Sequence, residues 1–167
     1  INAGEVNKTW IDWNDGFNIG ANNTVNNIAD SIAATILHND VSGNISNIQG
    51  VLNGNCNVFL LNSNGILFSP SAQVNVGSLV ASSLMMSEDA FENGTVEYVL
   101  QAQAANAGLV LNQGTLEAIA NGSIILAGGA VQNAGTIQVN LGTVNLVSGE
   151  EVTLNISGDG SIQAAVT

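Results

Sequence analysis

The second half of the chain repeats itself about every 20 to 25 residues, and no other feature restricts the fold as much. Residues Val110 to Ala118, reading VLNQGTLEA, align with Val131 to Val139, reading VQNAGTIQV. Residues Gly122 to Gly129, GSIILAGG, align with Gly142 to Gly149, GTVNLVSG, and Gly160 to Ala164 reads as a looser further copy of the first pattern. Each unit alternates apolar and polar residues and then breaks at Gly or Asn. Ile137 and Val139, Val144 and Leu146, Val152, Leu154 and Ile156, and Ile162, Ala164 and Val166 would each point to one side of a strand. A sandwich of hairpins gives no reason for such a period. A chain that coils once per repeat, with rungs about 4.8 Å apart, explains it directly. The expected fold is all-β, a right-handed parallel β-helix with an N-terminal cap and extra β elements outside the coil.

The first half is less regular. Short strands are expected at Thr9–Trp13, Phe17–Ile19, Ser31–Leu37, Val58–Leu61, Ile66–Phe68, Val74–Val80 and Val96–Leu100. Trp10, Trp13 and Phe17 sit where the first rung would expose an open apolar end, and they read as part of a cap. Ser87 is placed to cap one helical turn over Ser87–Asn93, with Glu88 and Asp89 favourable near its N-terminus. The 167 residues suit one domain, with residues 1–30 as the cap region and 31–167 as rungs. The chain opens at Ile1 without Met, which predicts an upstream segment such as a signal peptide. No obvious cap covers the last rung near Val166, which predicts a natural chain continuing past Thr167.

Charge narrows the partners. Lys8 is the only basic residue against thirteen carboxylates, for a net charge of −12. Such a surface repels nucleic acid and anionic headgroups, and no apolar run is long enough to span a membrane. Cys56 is alone, so an intrachain disulfide and a cysteine zinc site are both excluded, and a small buried apolar role is expected for it. His38 is the only histidine and has no companion for catalysis or metal binding, so it reads as a satisfied or surface side chain.

The segment Val58–Leu61 reads as a buried strand, followed by a tight turn and a second buried strand, Ile66–Phe68. Asn62 is suited to an Asx turn, and Asn64 with Gly65 suits positive φ. Here the sequence resembles the N-terminal secretion domain of two-partner secretion exoproteins, the filamentous haemagglutinins and high-molecular-weight adhesins. That family carries Asn-Pro-Asn-Gly-Ile after a strand of the type Val-Phe-Leu-Ile/Val. This chain has VFLL followed by Asn62, Ser63, Asn64, Gly65 and Ile66. Serine in place of proline forgoes about 0.4–1 kcal/mol of unfolded-state restriction. The run Asn39 to Gly43, NDVSG, sits where members carry Asn-Arg-Val-Thr-Gly, with Asp40 replacing the arginine. The segments Trp10–Gly20, Ile48–Leu52, Ala72–Gly77, Ala81–Leu84 and Gly149–Leu154 also match in order, so the resemblance covers the whole chain.

The resemblance implies one secretion domain of the haemagglutination-activity type, recognised while extended in the periplasm by the POTRA domains of an outer-membrane TpsB transporter. The exported chain would then fold at the surface of a Gram-negative-type bacterium or be released, nucleating a longer solenoid. Recognition is expected to rest on Asn62, Ser63, Asn64, Gly65, Ile66 and Asn39. The host-cell surface is a further partner of such exoproteins, and the domain itself is expected to be a monomer without cofactor or metal.

Two other readings compete. A β-helical polysaccharide lyase needs a basic side chain, yet the chain has no Arg, and Lys8 falls in the cap region. A hydrolase needs carboxylates paired across a groove, whereas here they are scattered. Glu150 with Glu151, Ser87 to Asp89, and Ser157 to Gly160 read as turns rather than calcium sites. The Asn-x-Ser/Thr triplets beginning at Asn7, Asn22, Asn44, Asn93, Asn121 and Asn155 follow from composition, although related adhesins can be glycosylated on such triplets. A binding module presenting an Asn/Thr-rich face to glycan or protein is the remaining alternative.

Overall fold

The computed structural model describes residues 1–103 and 107–167. The chain winds as a coil with three walls of parallel strands. The first wall stacks β1 (Asn2–Gly4), β3 (Thr24–Ala29), β6 (Val51–Gly54), β9 (Gln73–Val76), β13 (Thr115–Ala118) and β16 (Thr136–Val139). The second stacks β2 (Lys8–Trp13), β4 (Thr35–Asp40), β7 (Asn57–Leu61), β10 (Ser78–Ser82), β14 (Ser123–Gly128) and β17 (Thr143–Ser148). The third stacks β5 (Ser46–Ile48), β8 (Ile66–Phe68), β12 (Leu109–Asn112) and β15 (Ala130–Asn133), and Ile19 extends it by a single parallel bridge to Ile48. Val58 stacks on Leu79, and Ile124 on Val144, so one turn of the coil consumes about twenty residues, as the repeat requires. This is a parallel β-helix, with the right hand that parallel crossovers adopt almost without exception.

Inward side chains form a dry column. Ile48, Leu52, Val58, Leu60, Phe68, Val74, Leu79, Val110, Leu116, Ile124 and Leu126 belong to one buried cluster, and Ile137 and Val139 pack against it. Val144 and Leu146 continue the same rows in the last coil and are about half exposed. At the other end Trp13 and Phe17 close on the column, their rings 5.2 Å apart. Trp10 does not join them: it faces outward, 5.8 Å from the ring of Phe91.

Strands β4, β7, β10 and β14 of the second wall are buried on both faces. Their outward residues Leu37, Phe59, Leu61, Val80, Ile125 and Ala127 form a second cluster under a cover lying outside the coil. The cover comprises α1 (Glu88–Asn93), β11 (Glu97–Gln101), β18 (Glu151–Ile156) and β19 (Ile162–Val166). Ser87 caps α1 as expected, its hydroxyl accepting from the Ala90 N–H. Strands β11, β18 and β19 pair antiparallel, supplying Tyr98, Leu100, Val152, Leu154 and Ile162 to this outer cluster. Each large side chain buried there contributes about 1.5–3 kcal/mol.

Several expectations are corrected. The Val152 and Ile162 segments are not rungs but an antiparallel hairpin, so Gly160–Ala164 is not a further copy of the repeat. Alternation reveals a buried face without revealing which surface buries it. The expected strand Val74–Val80 breaks into β9 and β10 at Gly77, a corner of the coil. A Cβ there would come within 3 Å of the Cys56 carbonyl, so only glycine lets the coils close at this corner. Pairing in the Ser31–Leu37 region begins only at Thr35, because Ser31 turns the chain through bonds to the Ala33 and Ala34 N–H groups. Within Phe17–Ile19 only Ile19 pairs.

Candidate functional site

Asn62 leaves the end of β7 at the corner leading to β8 and is fully buried. Its Oδ1 accepts from the Asn64 N–H at 2.9 Å, which is the Asx turn expected of it. Its carbonyl accepts from the Gly65 N–H at 3.0 Å, closing the loop. Its Nδ2 donates to the Asn44 carbonyl at 2.8 Å and to the Ser46 hydroxyl at 2.9 Å. Gly65 holds φ of 119°, and a Cβ would sit 2.7 Å from the Leu109 carbonyl oxygen, which requires glycine twice over. Ile66 is 2 % exposed and enters the inner column. Ser63 is half-buried and Asn64 exposed, so only these two side chains of the segment reach solvent.

The Asn62 network continues into the preceding coil. The Ser46 hydroxyl donates to Asp40 Oδ2 at 2.6 Å, and the Phe17 N–H donates to the same oxygen at 2.8 Å. The Ser42 N–H and hydroxyl satisfy Asp40 Oδ1 at 3.0 and 2.7 Å. Burial alone would raise the Asp40 pKa, but the bonds from Phe17, Ser46 and Ser42 outweigh it and hold the carboxyl below its ordinary value. A corner spine therefore runs from Phe17 through Asp40 and Ser46 to Asn62, tying three successive coils. Asp40 stands where the resembling family carries arginine, and here the carboxylate gathers local donors.

Asn39 does not join this spine. It points to the outer face of the second wall between Asp12 and Leu61, and its Nδ2 donates to Asp12 Oδ1 at 2.7 Å. The Trp10 indole donates to that same oxygen at 2.9 Å. Asn39 Oδ1 is buried without a hydrogen-bond partner among the described residues. Ser46 was the residue that sequence reasoning missed. Its signal was a hydroxyl in a third-wall row whose neighbours are Ile66 and Val110.

His38 lies inward between Ile11 and Leu60, stacked on Phe17 with ring centroids 4.4 Å apart. Its Nδ1 accepts from the Trp13 indole at 3.2 Å, which leaves Nε2 to donate to Asn27 Oδ1 at 2.8 Å. Burial, with the N-terminal ammonium as a smaller cause, lowers its pKa to about 4, so the ring is neutral and satisfied. Cys56 is fully buried beside Ala29, Ala34 and Ile36, and burial pushes its thiol pKa up. Among the described residues no group of three His, Cys, Asp or Glu side chains could hold a metal ion.

The geometry is that of a turn locked into a β-helical scaffold, and the family comparison agrees with it. The profile of the TPS secretion domain matches residues 2–166. The chain belongs to the TPS secretion domain family. The crystal structure of the HMW1 secretion domain from Haemophilus influenzae superposes with a TM-score of 0.84 at 28% identity, covering 96% of this chain and 42% of that one. A heme/hemopexin-binding protein of Haemophilus influenzae strain Rd is 35% identical over 164 residues, 95% of this chain. A second Haemophilus influenzae protein of that name is 36% identical over 74 residues, 44% of this chain and 8% of the relative. The chain spans only 18% of the longer-matching relative. As a TPS domain, it is the secretion module of an exoprotein of the Gram-negative kind.

Proposed function

We propose that Asn62–Ile66, together with Asn39, is read by the POTRA domains of an outer-membrane TpsB transporter while the chain is extended in the periplasm, and that folding then withdraws the signal. The observation that carries this reading is the fate of Asn62. Every polar atom of its side chain is engaged within the domain, and Ile66 is in the core, so the segment is legible as a unit only before the coil closes. Recognition and folding would thus compete for the same side chains, giving export a direction. Outside the cell the closed coils would template the rungs that follow. No enzymatic role is proposed. Heme binding, named for the relatives, is not proposed for this segment either, because its one histidine is buried with both ring nitrogens engaged.

The test is export of a reporter fused to residues 1–167, with the partner pore present or absent. Asn64→Ala is the decisive variant: its side chain is exposed and makes no hydrogen bond among the described residues, so the folded domain has little to lose. Loss of export at unchanged denaturation midpoint supports recognition. Normal export by Asn64→Ala and by Asn62→Ala would reduce the segment to a structural turn.

A further inference from the structure

A groove of about 460 Å³ lies on the outside of the coil, along the corner between the first and second walls. Its floor includes Thr35, Asn57 and Ser78, three side chains in one ladder row of β4, β7 and β10. Ile32, before β4, and Ile119, before β14, also line it and are 70% and 51% exposed. The turn Ser157–Gly160 of the outer hairpin closes the side toward the cover. Among the described residues the side chains of Thr35 and Asn57 make no hydrogen bond. The Ser78 hydroxyl accepts from the Ser123 N–H at 2.9 Å and keeps its own hydrogen to donate.

We propose that this groove binds a neutral, linear oligosaccharide. The floor offers a carboxamide between two hydroxyls at the ladder spacing of about 4.8 Å, and such groups match sugar hydroxyls, which both donate and accept. The exposed Ile32 and Ile119 side chains suit the C–H faces of pyranose rings. Other occupants fit less well. An anionic ligand meets a chain of net charge −12 and Asp159 at the rim. The only basic side chain, Lys8, is committed to the carbonyls of Phe91, Glu92 and Gly94. An extended peptide normally docks by adding a strand, but β4, β7 and β10 are each paired on both sides and offer no edge. The end of the present chain points elsewhere: Thr167 bonds Glu151, at the opposite end of β18 from the Ser157 turn.

The site is independent of the export reading and is tested on the purified 167-residue chain. Cellotetraose, chitotetraose and maltotetraose are titrated separately while backbone amide resonances are followed. At least one should give saturable shifts confined to residues 32–35, 57, 78, 119–122 and 157–160. Asn57→Ala should weaken that binding roughly tenfold, the loss of about one well-made hydrogen bond. Ile119→Arg, a change at an exposed lining residue, should block it by filling the groove, and this variant keeps the test sharp should Asn57→Ala fold poorly. No saturable shift with any of the three sugars would overturn the proposal. So would shifts outside the groove, binding unaffected by Ile119→Arg, or tighter binding of a sulfated tetrasaccharide.

Discussion

Ser46 accepts a hydrogen bond from Asn62 Nδ2 at 2.9 Å and donates one through its own hydroxyl to Asp40 Oδ2 at 2.6 Å. One hydroxyl therefore joins the two segments that carry the family resemblance, although they lie in different coils. Removing it leaves a buried amide and a buried carboxylate each short of a partner. Ser46→Ala should cost about 1–3 kcal/mol, read as a lowered urea midpoint. A cycle with Asn62→Ala should show coupling of at least about 0.5 kcal/mol. Additive effects would mean that the two segments are stabilised independently.

Acid should weaken the domain in two stages. The His38 pKa falls from 6.5 to about 4 on folding, so between those values the unfolded chain binds a proton that the native chain refuses. Stability is whole above pH 6.5 and declines as pH falls, by about 3 kcal/mol at pH 4. Asp40 acts lower. Its folded pKa lies below 3.8, so its contribution is present above that value and is lost as pH drops through the folded pKa. His38→Gln retains an acceptor for Trp13 and a donor for Asn27. Chemical denaturation of this variant should show little change in stability between pH 7 and pH 4, and the wild-type slope in the variant would refute the assignment to His38.

Lys8 fastens the outer cover. Its ammonium donates to Phe91 and Glu92 carbonyls at 2.8 and 3.0 Å and to that of Gly94, and it lies 5.7 and 5.6 Å from the Phe91 and Tyr98 rings. These carbonyls close the last turn of α1, where a cation is favoured. Lys8→Met keeps the aliphatic stem and removes the charge. It should cost about 1–3 kcal/mol and speed hydrogen exchange across residues 88–94. Trp10, which leans on Phe91, should shift its fluorescence to the red. Unchanged exchange in α1 would show that apolar packing alone holds the cover.

The coil was legible because its signals are local and repeated. The uninterrupted apolar run of Val58–Leu61 reads as a buried strand, and the structure buries every residue of it. The Asx turn at Asn62 and the cap at Ser87 were visible because they span only three and four residues. What escaped depends on pairings distant in sequence. Val152 and Leu154 alternate just as an inner strand does, yet they pack on the outside of the coil opposite Leu100 and Tyr98. The partners of His38, Asn27 and Trp13, lie 11 and 25 positions away, and no local pattern joins them.

The corner column makes the tightest demand on the sequence. A Cβ on Gly122 would fall within 3 Å of the Gly77 carbonyl, and one on Gly142 within 3 Å of the Gly122 carbonyl, so successive coils rest backbone against backbone. Each glycine directly precedes a ladder strand, Gly77 before β10 and Gly122 before β14, which limits how far its carbonyl can retreat. Gly122→Ala should therefore push adjacent coils apart and cost about 1–3 kcal/mol. Gly158→Ala is the matched control: nothing lies within 4 Å of the added methyl, so the lower chain entropy of alanine should leave stability equal or slightly raised. Thermal melts of the two variants decide the matter. Equal midpoints would mean that the corners flex, and that the glycine column reflects composition rather than contact.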